Sequence, residues 1–284
     1  MMNIYRNTKA VEQYYDLCQK WYSWVYSDRS SLGMHYGFWD ADTAKKKDAL
    51  INQYREIARL LEPKKGDLIL DAGCGVGGAS LWLAAHTDAD YVGITLSSVQ
   101  LKMAQGYARK RGLEKRVRFD QKNYFLTGFA DGTFDHLFGI ESFCYAYPEP
   151  LDAFSEMHRV LKSGGKMVMS DVLLLYHPSS EYEKKLAYEL RYGFKVSGWN
   201  TPEEIISALK ECGFKNIQHL DRTQEIRKSV ENIYRLSRLA APLRVLRYVG
   251  IISDVEAEQL RAGNAQKKMY DIGLFGYGQF VAEK

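Results

Sequence analysis

Cysteine is scarce and unorganised in this chain: Cys18, Cys74, Cys144 and Cys212 form no Cys-x-x-Cys pair and have no histidine at zinc spacing. That excludes a disulfide framework and a structural metal site, and a reducing, cytoplasmic setting is expected. An excess of one charge is also missing. The 39 Lys plus Arg against 35 Asp plus Glu leave a net +4, too weak and too interspersed to make nucleic acid a partner. No 18 consecutive apolar residues occur, and Met1 to Arg6 lead into a polar, aromatic stretch without an apolar core. Neither a membrane span nor a secretory leader is therefore expected. Internal repeats and low-complexity segments are absent. With 46% hydrophobic and 26% charged residues in 284, the chain has the composition of an ordinary globular protein.

What is abundant is aromatic. Phe, Trp and Tyr make up 13% of the chain, and ten of them fall within residues 1–40. From Lys9 to Tyr26 the apolar positions recur at three and four, which predicts one or two short helices. Tyr22, Trp24 and Tyr26 cannot all lie on one helical face, so part of this set faces a cleft, a partner or solvent. A glycine-flanked loop, Leu32 to Trp39, then presents His35 and Tyr36. A second amphipathic helix is predicted from about Thr43 to Leu61, closed by Pro63.

From Leu68 the pattern alternates. Strands are predicted at Leu68–Leu70, Tyr91–Ile94, Val117–Phe119, Phe134–Ile140 and Lys166–Leu174. Helices are predicted at Ser80–His86, Val99–Arg111 and Leu151–Leu161. Such alternation predicts an α/β fold, a parallel sheet with helices on both faces. After Leu175 a polar, proline-containing stretch runs to Asn200. Thr201-Pro202-Glu203-Glu204 then reads as an N-cap, a proline at the first helical position and an acidic first turn. A strand near Ile217, a helical insertion over Ser229–Lys268 and a closing strand from Phe275 to Val281 complete the reading. The expected organisation is an aromatic helical cap (1–57), a ligand-binding core (58–175) and a lid with the closing strands (176–284).

The sharpest motif is Asp71-Ala72-Gly73-Cys74-Gly75-Val76-Gly77-Gly78, between a strand and a helix. Glycines at 73, 75 and 78 satisfy the dinucleotide spacing, and those at 73, 75 and 77 the loop of methyl-donor enzymes. Both need backbone without Cβ atoms at the carboxyl end of a strand, where a ligand touches the main chain. A dinucleotide enzyme should place an acid about 20 positions on to grip a ribose. Thr95 stands there instead. With Gln100 it can meet ribose hydroxyls or the amino-acid end of a ligand through neutral hydrogen bonds, which favours the methyl donor.

These residues resemble the S-adenosylmethionine-dependent methyltransferases over roughly 58–175. Asp131-Gly132-Thr133-Phe134-Asp135 looks like the family's entry to its fourth strand, and Arg159-Val160-Leu161-Lys162-Ser163-Gly164-Gly165 like the turn before its fifth. The resemblance implies a Rossmann-like, seven-stranded methyltransferase sheet with S-adenosyl-L-methionine as cofactor. It places Asp71, Gly73, Cys74, Gly75 and Gly77 at the methionine end, the Thr95 terminus at the ribose and Asn123 near the adenine. Leu96, Gln100, Tyr124 and Glu141 join the donor contacts. Many members carry an acid where Thr95 stands and Asp where Asn123 stands. A narrower group, acting on sterols and other isoprenoids, shares both departures. Asn123-Tyr124-Phe125 and Ile140-Glu141-Ser142-Phe143-Cys144-Tyr145-Ala146 resemble segments of that group, with Tyr145 where a histidine is usual. Tyr22-Ser23-Trp24-Val25-Tyr26 looks like its aromatic entry region.

Methylation of an alkene carbon leaves a carbocation, which aromatic faces stabilise by about 0.5–2 kcal/mol per ring when desolvated; a carboxylate then removes a proton. Glu141 is the expected base, with Tyr22 and Trp24 among the rings, Cys144 and Tyr145 lining the same pocket, and His35 and Tyr36 bonding the acceptor or closing over the donor. The blander readings are a helix's buried face for the rings, a structural carboxylate for Glu141, and a loop histidine bonded to its neighbours for His35. Cys74 reads as a small filler of the glycine loop. The expected partner is a small hydrophobic acceptor. The rivals are O- or N-methylation of a small metabolite and a donor-binding module without catalysis. The basic, apolar stretch from Arg235 to Arg247 fits peripheral contact with a membrane surface as well as a helix with one solvated face. Monomer and homo-oligomer are both left open.

Overall fold

A computed structural model describes residues 8, 9, 11–17, 19, 30–239 and 254–284. The aromatic positions Tyr22 and Trp24 and the stretch 240–250 lie outside the described residues. The core builds from β1 (Leu68–Ala72), α2 (Gly78–His86), β2 (Asp90–Thr95), α3 (Ser98–Arg111), β3 (Val117–Gln121) and β4 (Phe134–Ile140), preceded by α1 (Lys46–Leu61). A one-turn 3-10 helix, Phe143–Ala146, leads to α4 (Pro150–Val160) and β5 (Leu161–Leu174). Then follow α5 (Glu181–Phe194), α6 (Pro202–Glu211), β6 (Lys215–Asp221), α7 (Arg227–Leu239), α8 (Asp254–Asp271) and β7 (Phe275–Glu283).

The seven strands lie in the order β3-β2-β1-β4-β5-β7-β6. β1 to β5 are parallel, whereas β7 runs antiparallel to both β5 and β6. The parallel sheet expected from the alternation holds for β1 to β5, and β7 makes the seven-stranded whole mixed. The strand β7 follows α8 and enters between two strands already laid down, so it arrives from the opposite end. Side chains alternate along the central strands. Leu70, Leu137, Met167 and Met169 pack with Phe154 and Met157 of α4, while Ile69, Phe138 and Val168 pack with Ile57 of α1 and Leu81 of α2. Fully burying each such side chain contributes about 1.5–3 kcal/mol.

Three local readings shift. The helix expected from Thr43 begins at Lys46, because the Thr43 hydroxyl bonds back to Asp40 in a turn and accepts from the Asn52 amide. The polar stretch 176–200 contains α5, opened by a capping box in which Ser180 accepts from the Glu183 N–H and Glu183 from the Ser180 N–H. Three exposed tyrosines, Tyr182, Tyr188 and Tyr192, disguised its amphipathic period. The Ser229–Lys268 insertion is described as two helices, α7 and α8. By contrast, the Thr201 N-cap and its box with Glu204 stand where the sequence put them.

Candidate functional site

The sheet order reverses between β1 and β4, and in open α/β sheets ligands bind at that point beyond the strands' carboxyl ends. A cavity of about 700 Å³ opens there, within the range of small-molecule sites. One part of its wall is the glycine turn with Asp71, Thr95, Leu96, Gln100, Asn123 and Tyr124; another comes from α5, α7 and α8; Glu141 and Tyr145 lie between strand end and helix.

The turn is glycine for steric reasons. Gly73 holds φ +107° and a Cβ there would come 2.4 Å from the Ser142 Cβ; Gly77 holds φ +84° with the Phe119 ring 2.5 Å from its Cβ position. Asp71 closes β1, almost wholly buried, and accepts from the Ser80 hydroxyl at 2.6 Å. Burial pushes its carboxyl up to about 7. Thr95 donates to Gln100 Oε1 at 2.9 Å, and Gln100 Nε2 donates to Gln19 at 2.9 Å. The expected ribose contacts are therefore already tied to each other and to the N-terminal segment. Asp16 bonds Ser97 at the same turn. Asn123 Oδ1 accepts from the Phe125 N–H at 3.0 Å, which turns its amide nitrogen away from that bond. Tyr124 donates from its hydroxyl to the Ser142 carbonyl at 2.9 Å. Cys74 is buried and its thiol is pushed up by desolvation, the condition of an inert filler.

Glu141 follows β4 in the left-handed region, φ +50°. Its Oε1 accepts from the Tyr36 N–H at 2.8 Å and the Tyr277 hydroxyl at 3.1 Å. Burial raises the carboxyl to about 8, and the neighbouring Asp171 carboxylate adds to the rise. Tyr36 itself packs edge-on against Phe275 and Tyr277, with ring centroids 6.2 and 6.0 Å away. His35 has a partly buried ring whose Nδ1 meets the Tyr36 carbonyl at 2.7 Å. A carbonyl only accepts, so Nδ1 carries the proton. The other nitrogen rests against Gly33, 2.9 Å from where a Cβ would stand, and burial lowers the imidazole to about 4. Tyr145 meets the Tyr15 hydroxyl at 3.0 Å, so the described part of the N-terminal segment reaches the cavity.

Several site residues escaped the sequence reading. Asp171 of β5 is fully buried and accepts from the Cys144 and Val172 N–H groups, both at 2.9 Å. Gln53 of α1 donates from Nε2 to both the Tyr277 hydroxyl (3.1 Å) and the Tyr36 carbonyl (3.0 Å). Trp199 and Gln266 line the cavity from the carboxyl-terminal third. The one signal available for these was Ser170-Asp171, a polar pair interrupting an otherwise apolar strand.

A glycine turn after β1, an acid after β4 and this strand order define a Rossmann-like methyltransferase fold. A sequence profile of the mycolic acid cyclopropane synthetases matches residues 3–231, and the chain belongs to that family. Among curated relatives, the 24-methylenesterol C-methyltransferase 2 of Oryza sativa subsp. japonica is 31% identical over 213 residues, covering 74% of this chain and 57% of that protein. The chain spans only about half to two thirds of the length of the first such relatives. Among solved structures, the cyclase SpnF superposes with TM-score 0.80 at 24% identity, covering 98% of this chain and 96% of that one. A geranyl diphosphate methyltransferase solved with GPP and sinefungin gives 0.76 at 21% identity, covering 98% and 99%. These likenesses agree with the resemblance carried by the sequence motifs.

Proposed function

We propose that the protein transfers a methyl group from S-adenosyl-L-methionine to a carbon of a small hydrophobic isoprenoid acceptor, with Glu141 as the base. One observation carries this reading. A partly buried carboxyl raised to about 8 shares a cavity with a glycine turn on one side and the rings of Tyr36, Tyr145, Phe194 and Trp199 on others. The donor class fits the turn, because Gly73 and Gly75 line the cavity as bare backbone beside the Asp71 carboxylate and an ammonium group is the natural partner of such an acid.

Bound there, the donor supplies an electrophilic methyl on a sulfonium. The glycine turn, Asp71 and the Thr95–Gln100 pair orient it, with Leu96, Asn123 and Tyr124 facing the remainder. An alkene acceptor's π pair forms the new carbon–carbon bond while the departing sulfur keeps the old bonding pair. The rings of Tyr36 and Tyr145 face the cation left on the acceptor, and Glu141 takes the proton whose loss restores a double bond. A bound acceptor that displaces water from the aromatic part of this cavity keeps water from quenching the cation. His35, neutral and wedged against Gly33, holds the Tyr36 turn in place rather than touching the acceptor. Residues 1–57 act as cap, 58–175 as donor-binding core and 176–284 as acceptor wall and closing strands.

The same base would serve methylation of a hydroxyl or amine, so the position of the new bond decides. The test is transfer of labelled methyl from the donor to a panel of isoprenoid alcohols, diphosphates and sterols, with the product bond located by NMR. A carbon–methyl bond is expected; a methyl found only on oxygen or nitrogen would replace carbon methylation with heteroatom chemistry.

A further inference from the structure

The cavity wall contributed by α5, α7 and α8 is largely apolar, with Leu190 and Phe194 from α5 and Ile233 and Leu236 from α7, and Ser229 and Asn232 of α7 add polar groups. Among its polar side chains one stands out. Gln266 of α8 is fully buried, yet both its Oε1 and its Nε2 lack a hydrogen-bond partner. Trp199 lines the same cavity with its ring buried and its indole N–H also unpartnered. Leaving a buried carboxamide unsatisfied is destabilising, and a leucine would fill the space without that penalty. Polar atoms held unpaired on a cavity wall are the mark of a ligand that completes them.

We propose that Gln266, with the Trp199 indole, binds an uncharged oxygen function, a hydroxyl, carried by the hydrophobic acceptor. This rests on the methyl-transfer reading only for what the acceptor is used for, not for the subsite itself. The chemistry selects a neutral group. A carboxamide gives one hydrogen bond and takes another, which matches a hydroxyl atom for atom. An ionised head would need counter-charge, and the described lining contains no arginine and only two lysines, Lys46 and Lys122. Neither lies on this wall: Lys46 opens α1, and Lys122 follows β3, where its ammonium donates to the Thr127 carbonyl at 2.6 Å. Nor do the described residues group three His, Cys, Asp or Glu side chains as ligands for a cation that could escort a diphosphate.

The experiment compares farnesol, farnesene and farnesyl diphosphate by calorimetric titration into the full chain saturated with S-adenosylhomocysteine. Wild-type protein should bind farnesol about five- to tenfold more tightly than farnesene. In Gln266→Leu that ratio should fall to near one while farnesene affinity holds, and the variant should melt no lower than wild type because it loses two unpaired polar atoms. Trp199→Phe, which removes only the N–H, should lower the ratio in part. A ratio unchanged in Gln266→Leu, a diphosphate that binds most tightly of the three, or no binding of any probe would overturn the proposal. If the ratio collapses as expected but no acceptor is methylated, the subsite stands and the methyl-transfer reading fails. Methylation of farnesol and farnesene with equal efficiency in wild type and variant would do the reverse.

Discussion

The Tyr277 hydroxyl donates to Oε1 of Glu141 at 3.1 Å, the same oxygen that takes the Tyr36 N–H, and Gln53 holds that hydroxyl from the other side at 3.1 Å. Both bonds favour the ionised carboxyl, so they hold Glu141 below the value that burial alone would set. Tyr277→Phe removes one of them. The ascending limb of the kcat/KM pH profile, which reports ionisation of the base, should move to higher pH, with kcat at neutral pH falling about three- to tenfold. A lowered rate with an unmoved limb would leave Tyr277 a packing residue.

Glu141→Gln keeps the shape and loses the proton acceptor. Turnover should fall at least about a hundredfold, while donor affinity measured by calorimetry stays within a few fold. A near wild-type rate would take Glu141 out of the chemistry.

Stability should decline as pH rises through neutrality. Burial raises Glu141 to about 8 and both Asp71 and Asp171 to about 7, so the folded chain holds protons that the unfolded chain has already lost. Their contribution is complete below the ordinary carboxylate range and is lost as pH climbs through these raised values. Partly buried histidines act oppositely: His35, His136, His158 and His219 are all pushed down by desolvation, so they favour folding increasingly as pH rises toward and through 6.5. Their effect fades over the next pH unit, and above about pH 7.5 they are neutral in both states. Between pH 6.5 and 8 the carboxylates therefore outweigh them, and the thermal midpoint of the unliganded protein should drop by several degrees, on the order of 2 kcal/mol. Glu141→Gln should flatten part of that slope; an unaltered slope would place the proton elsewhere.

Gly77→Ala sets a Cβ 2.5 Å from the Phe119 ring in a left-handed backbone at φ +84°. Strain and overpacking together should cost about 1–3 kcal/mol and weaken donor binding more than tenfold. Adding Phe119→Leu should recover the part due to the clash but not the part due to φ, which a double-mutant cycle on melting temperature separates.

The strand alternation, the glycine turn and the acid after β4 were legible because each is a local pattern: apolar runs of fixed length, glycines at fixed spacing, a carboxylate at a strand end. The direction of β7 was not, since Phe275–Glu283 reads the same whether it enters the sheet from above or below. Helix α5 was hidden because its outward face carries tyrosines instead of charges alone. The partners of Glu141 were least visible. Tyr277 is 136 residues away in sequence, and only the insertion of β7 beside β5 brings it within reach. Tyr36 is expected to bond the acceptor or close over the donor, yet its backbone N–H is what touches Glu141.

That insertion also sets an order of assembly. β6 pairs with β7 alone, so a nascent chain leaving the ribosome carries β6, then α7 and α8, before the strand that can hold β6 exists. The glycine turn and β1 to β5 can close earlier from contacts already made. Glu141 can thus meet the Tyr36 N–H from the earlier chain, while the tyrosine hydroxyl that shares the same oxygen arrives only with β7.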